Sequence, residues 1–190
     1  MAAEIIPLDL SRIFEHFPVL ETERLVLREL IGSDTEDLFA YYGDPSIKDY
    51  VSYSAFKSID IARDEIGRIA EGFKAHKFVE FGVARKSDNR IVGVCTLHHI
   101  SPDHHRMELG YGLARAYWGF GYMTEAVREV IRYAFEEMGI HRIEAECETG
   151  NIRSCRVAER CGMTLEVTRQ ENEINKGRFV SNHVYAIIRK

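Results

Sequence analysis

Leu113-Ala114-Arg115-Ala116-Tyr117-Trp118-Gly119-Phe120-Gly121-Tyr122-Met123-Thr124-Glu125 is the stretch on which the reading of this chain turns. Arg106 to Leu113 before it has the residues of a strand. After it Met123, Ala126, Val127, Val130, Ile131, Ala134, Phe135 and Met138 recur at i, i+3, i+4, i+7, the mark of a long helix with one apolar stripe, and Gly139 closes it. A strand, a glycine-containing loop and a helix start therefore follow one another at once. Gly119 and Gly121 let the backbone turn its N–H groups inward without side-chain obstruction. Together with the positive end of the helix dipole, such groups make an anion site suited to a pyrophosphate. A plain strand-to-helix turn also favours glycine, so the loop by itself leaves both readings open. Gly119-x-Gly121-x-x-Thr124 falls one residue short of the dinucleotide fingerprint. Thr124 is too large for the close helix–strand packing of that motif, which normally follows a first strand. The loop also carries Trp118, Phe120 and Tyr122, so a nicotinamide or flavin site is disfavoured.

Outward from the loop the pattern gives one α+β domain. Thr22 to Leu30 reads as a strand, preceded by residues 1–21 as a leader packed on the domain, which occupies 22–190. Ser33-Asp34-Thr35-Glu36 spells a capping box, predicting a short helix to about Tyr42. Ser58 caps the next helix, with Ala62, Ile66, Ile69, Ala70 and Phe73 at helical spacing. Val79, Phe81 and Val83 alternate. Ile91 to Ile100 and Arg106 to Leu113 then complete an antiparallel meander. After the long helix come a strand over 141–147, a helix from Asn151 to Gly162, and two strands flanking an Asn175-Lys176-Gly177 turn. A strand, crossover helix and strand over 106–147 implies one parallel pair inside a mixed, mostly antiparallel sheet.

The 190 residues, 45% apolar and 29% charged, suit a globular core. The absence of a long apolar run and of a basic, apolar N-terminal signal leads us to expect a cytoplasmic protein with no membrane partner. A net charge of −5 and no Lys/Arg run argue against direct nucleic-acid binding. Cys95, Cys147, Cys155 and Cys161 lack metal-finger spacing and read as reduced, structural thiols. His98-His99 and His104-His105 raise the question of a metal. Adjacent strand residues point to opposite faces, so each doublet offers one ring per side, and no metal is expected.

From about Thr22 onward the chain resembles the GNAT superfamily of acyl-CoA-dependent N-acetyltransferases, above all its ribosomal-protein alanine and serine (RimJ/RimL-like) branch. Four pieces carry the likeness: Glu21 to Arg28, Glu108-Leu109-Gly110-Tyr111, Tyr117 to Ala126, and Asn151-x-x-Ser154 followed by Cys161-Gly162-Met163. Ala116 and Met163 depart from the family pattern without removing a backbone donor. The resemblance implies a parallel pair of strands that splay apart, flanking helices and acetyl-CoA as cosubstrate. Trp118, Gly119, Phe120, Gly121, Tyr122, Met123 and Thr124 would hold the pyrophosphate. Leu109, Tyr111, Gly112 and Leu113 would pair with the pantetheine arm as an added strand. Asn151 would bond the arm, besides being a natural helix cap. A homodimer is implied by the branch alone.

With no Cys/His pair to suggest an acetyl-enzyme, direct attack by an amine in a ternary complex is expected. Glu108 is the candidate base, with an ion pair to Arg106 or Arg115 as its alternative. Ser154 is the candidate acid for the leaving thiolate. Tyr185 reads as core more readily than as a wall of the acceptor cleft. The acceptor is an amine, either a protein N-terminus or a small molecule. A non-catalytic acyl-CoA-binding domain is the other class left open.

Overall fold

The computed structural model describes residues 6–45 and 54–190, and its strands form one eight-stranded sheet. In chain order these are β1 (Leu20–Glu21), β2 (Leu25–Arg28), β3 (Val79–Arg85), β4 (Ile91–Ser101), β5 (Arg106–Leu113), β6 (Arg142–Glu148), β7 (Thr164–Asn175) and β8 (Arg178–Ile188). The helices are α1 (Thr35–Tyr42), α2 (Ile59–Lys74), α3 (Tyr122–Glu136) and α4 (Ile152–Arg160). The sheet order is β1-β2-β3-β4-β5-β6-β8-β7, antiparallel everywhere except between β5 and β6. The mixed sheet with one parallel pair is as the sequence predicts. Its first strand starts at Leu20, ahead of the expected Thr22, and the expected strand from Thr22 narrows to Leu25–Arg28.

Period-2 alternation assigns the two faces. Cys95, Leu97, Met107, Leu109, Ile143, Ala145 and Cys147 bury into a core shared with α3 and α4. Ala84, Ile91 and Val94 face the other way, under Tyr41 and Tyr42 of α1 and Ile66 and Ile69 of α2. β3 is therefore buried on both sides, where simple alternation predicts one. That sandwiching traps Glu80. Its Oε2 accepts from Thr96 Oγ1 at 3.1 Å, and burial pushes its carboxyl up to about 7.

The expected Ser33–Glu36 capping box does not form. A 3-10 turn over Gly32–Asp34 precedes α1, and Asp34 occupies the cap position without a side-chain cap bond. Its buried carboxylate is taken instead by the two terminal nitrogens of Arg28, at 2.7 and 2.9 Å, and by the Ile31 N–H at 2.9 Å. Ser58 likewise stands at the N-cap of α2 without a side-chain cap bond. α3 behaves as its periodicity requires, with Met123, Ala126, Val127, Val130, Ile131 and Ala134 buried.

Candidate active site

The loop between β5 and α3 has its two glycines in the left-handed region, Gly119 at φ +86° and Gly121 at φ +80°. The space a Cβ would enter at Gly119 is open, and at Gly121 its nearest neighbour is Arg24 Nη2 at 3.6 Å. The first backbone bond of α3 runs from Glu125 N–H to Gly121 O, 3.1 Å, so the N–H groups of Tyr122, Met123 and Thr124 precede the helical ladder. Phe120 is 61% exposed, whereas the Met123 side chain packs in the core beside Cys95, and only its backbone can face a ligand. Trp118 donates its indole N–H to Leu113 O at 2.8 Å and lies under the Arg153 guanidinium, 4.7 Å from its ring centre.

A clamp fixes this loop, and the sequence pattern gives no hint of it. Glu125 accepts from Thr22 Oγ1 at 2.6 Å, Arg24 N–H at 2.9 Å and Arg24 Nε at 2.7 Å. Arg24 also donates to Phe120 O at 3.0 Å and lies over the Tyr122 ring. Burial alone would raise the Glu125 carboxyl, but the bonds from Thr22 and Arg24 outweigh it and hold the carboxyl below its ordinary value. Arg24, Arg128 and Arg160, together with Glu23 and the Arg24-paired Glu125, line a cleft of about 410 Å³ beside Gly121 and Thr124.

The parallel pair supplies the second element. β5 and β6 are in register only at Arg106↔Arg142, Met107↔Ile143 and Glu108↔Glu144. Beyond Glu108 no register pair joins them, while β5 stays paired to β4 as far as Leu113. The sheet thus opens as a wedge with Glu108 at its apex, and Leu109 to Leu113 offer backbone groups along one wall. Gly112 has a further reason to be glycine, because a Cβ there would meet Tyr41 Oη of α1 at 1.9 Å.

On the α3–α4 side of the apex, Tyr111 Oη donates to Ser154 O at 2.9 Å and lies 3.8 Å from Cys147 Sγ. Ser154 Oγ is 3.1 Å from that same sulfur. Burial pushes both the Tyr111 phenol and the Cys147 thiol up, so both stay protonated at neutral pH. Asn151 caps α4, its Oδ1 accepting from Ser154 N–H at 3.2 Å. Cys147, read from sequence as merely structural, is therefore a neighbour of the candidate acid. Tyr185 is buried and donates to Glu159 at 3.2 Å.

Glu108 points to the other face, and its partners are neither Arg106 nor Arg115. Its Oε2 lies 3.1 Å from His99 Nδ1 and 3.9 Å from His98 Nδ1, and the two ring nitrogens are 3.2 Å apart. The expectation that His98 and His99 point apart fails for a local reason. The β4–β5 register shifts between His98 and Ser101, and His99 sits at φ +47°, so this bulge turns both rings to one side. His105 of the second doublet instead bonds Ile6 O at 2.7 Å.

A family model described as an acetyltransferase (GNAT) domain matches residues 24–164, about three quarters of the chain. The chain belongs to the GNAT acetyltransferases. A relative from Bacillus licheniformis, the uncharacterized N-acetyltransferase p20, is 30% identical over 171 residues, covering 90% of this chain and 96% of its own. The Escherichia coli enzyme named [ribosomal protein uS5]-alanine N-acetyltransferase is 29% identical, covering 77% of this chain and 78% of its own. A GNAT acetyltransferase structure from Bacillus anthracis superposes with a TM-score of 0.81 at 26% identity, covering 90% of this chain and 98% of the other. This GNAT chain is thus an acetyl-CoA-dependent N-acetyltransferase, and acetyl-CoA is its cosubstrate. Among the described residues no helix is long and apolar enough to cross a membrane.

Proposed function

We propose that the chain acetylates the α-amine of a polypeptide by direct attack within a ternary complex. The observation that carries this reading is the wedge, with Glu108 at its apex on one face and the Tyr111–Cys147–Ser154 cluster three residues further along on the other. In this reading the pyrophosphate lies on the N–H groups of the Gly119–Thr124 loop, and the 410 Å³ cleft with its arginines receives further phosphate charge. The pantetheine arm enters the wedge and pairs with Leu109 to Leu113, bringing the thioester to the apex.

The amine nitrogen then attacks the thioester carbon, and a β5 backbone N–H holds the developing oxyanion. Glu108 accepts the proton the nitrogen gives up. The C–S bond breaks, and the Ser154 hydroxyl passes a proton to the departing sulfur while taking a replacement proton from solvent, which also receives the proton held by Glu108. Holding amine and thioester together supplies the rest, since no acetyl-enzyme forms.

The acceptor follows from proton energetics. An α-amine has a pKa of about 7.7–8.0, so its neutral form costs about 1 kcal/mol at pH 7, whereas a lysine at about 10.4 costs about 4.6 kcal/mol. Glu144, in register with Glu108, is held by Arg142, which leaves Glu108 as the apex carboxylate to take the proton, and one carboxylate suits the more acidic ammonium. The likeness to the uS5-alanine enzyme supports the same choice. The test uses two short peptides, one with a free N-terminus and blocked lysines, the other N-acetylated with one free lysine. The free N-terminus should give the higher kcat/KM. Equal or better turnover of the lysine peptide refutes the preference, and failure of both assigns the site to a small-molecule amine.

A further inference from the structure

The His98–His99–Glu108 cluster is more than a hydrogen-bonded trio. A zinc-class ion bound tetrahedrally at about 2.0–2.1 Å holds neighbouring ligand atoms about 3.3 Å apart. The two Nδ1 atoms are 3.2 Å apart and His99 Nδ1 lies 3.1 Å from Glu108 Oε2, both close to that spacing. The His98–Glu108 separation of 3.9 Å needs only a side-chain adjustment to close on it. All three ligand atoms fall within 4.8 Å of one another.

Chemistry and access agree with geometry. Two imidazole nitrogens and one carboxylate oxygen suit Zn²⁺ and its borderline neighbours far better than Mg²⁺ or Ca²⁺, which take oxygen. Metal binding needs a neutral imidazole, so the site should fill better as pH rises through the ordinary histidine range. His99 is 74% exposed at its side chain, so an ion reaches the cluster from solvent and keeps an open coordination position there. Across the parallel register Glu144 adds negative charge beside Glu108, although Arg142 holds it at 2.6 Å. The bulge at His99 is what makes the site, since a regular strand would send the two rings to opposite faces.

We propose that His98, His99 and Glu108 form a binding site for a borderline divalent transition ion, whose occupation withdraws Glu108 from proton transfer and silences the enzyme. The ion is a brake and takes no part in the reaction. Its effect on turnover rests on Glu108 being the base, whereas the site itself does not.

The experiment uses the full chain without a histidine tag, treated with chelator and titrated with Zn²⁺ by calorimetry. Co²⁺ absorption serves as a second probe of tetrahedral nitrogen and oxygen ligation. One Zn²⁺ per chain should bind. His99→Asn, which keeps a residue tolerant of positive φ but removes the ring, should weaken binding at least about tenfold. Glu108→Gln should weaken it likewise, and circular dichroism and acetyl-CoA affinity should show both variants folded. Zn²⁺ should suppress wild-type acetyl transfer, with activity returning on chelation. No uptake by the wild type, or equal affinity in wild type and both variants, overturns the site. Stoichiometric uptake with full turnover keeps the site and overturns its link to a Glu108 base. A Glu108→Gln enzyme that turns over normally without metal refutes the base assignment separately.

Discussion

Glu125→Gln replaces the carboxylate of the loop clamp by an amide of the same shape. One carboxylate oxygen accepts from Thr22 Oγ1 and the Arg24 N–H, the other from Arg24 Nε and, at 2.6 Å, from Nη2. Glutamine can keep one oxygen in place, but its NH₂ then meets the guanidinium, donor against donor. A hydrogen bond to a charged group contributes about 1.5–3 kcal/mol. The Arg24 side chain is 42% exposed, so solvent screens part of this, and a loss of about 2 kcal/mol is the reasonable total. For a chain of this size that corresponds to a fall in Tm of about 4–8 °C. The pH dependence fixes the cause. The folded carboxyl titrates below its unfolded value, so its contribution is fully present above the ordinary glutamate range and is lost as pH falls through the folded pKa. Urea unfolding of both proteins across that acidic range should show the gap between them closing. Because Arg24 also holds Phe120 O, acetyl-CoA affinity measured by calorimetry should drop along with stability. Equal stability at neutral pH, or a gap that persists unchanged into acid, refutes the clamp.

Gly121→Glu puts a side chain at φ +80° and negative charge where the pyrophosphate should lie, so acetyl-CoA affinity should fall while circular dichroism stays native. Unchanged affinity removes the phosphate loop. Ser154→Ala should lower kcat with little effect on acetyl-CoA affinity, the pattern of an interaction made in the transition state. A collapse of affinity with kcat intact makes Ser154 a binding residue instead.

Much of the fold is legible because single elements declare themselves. The apolar stripe of α3 buries the residues its period selects, and the glycine loop before it can be located to the residue. What sequence pattern misreads are contests between neighbours. Ser33–Glu36 has the letters of a capping box, yet Arg28, adjacent only after folding, takes the Asp34 carboxylate. Alternation predicts that His98 and His99 diverge, and one residue at positive φ reverses that outcome. The resemblance gives Gly112 only a place beside the pantetheine arm, and the contact with Tyr41 of α1 that demands glycine there is not visible in the sequence. The Thr22–Arg24–Glu125 clamp joins positions about a hundred apart in sequence and leaves no periodic trace. Cys147 looks like any buried thiol until the turn from β6 into α4 brings Ser154 against it.

β7 ends the sheet with twelve residues, nearly all exposed, and among the described residues no strand lies beyond it in the sheet order. A bare edge of that length invites other chains to add strands to it. This one discourages them. Its register against β8 shifts between Leu165 and Val167 and again between Arg169 and Glu173, and Glu171 sits at φ +46°. Glu166, Arg169, Glu171 and Glu173 add charges that an incoming strand would have to accommodate. A strand growing onto β7 would lose step within a few residues, so the bulges and charges offset the invitation that exposed Leu165, Val167 and Ile174 give to edge-to-edge pairing.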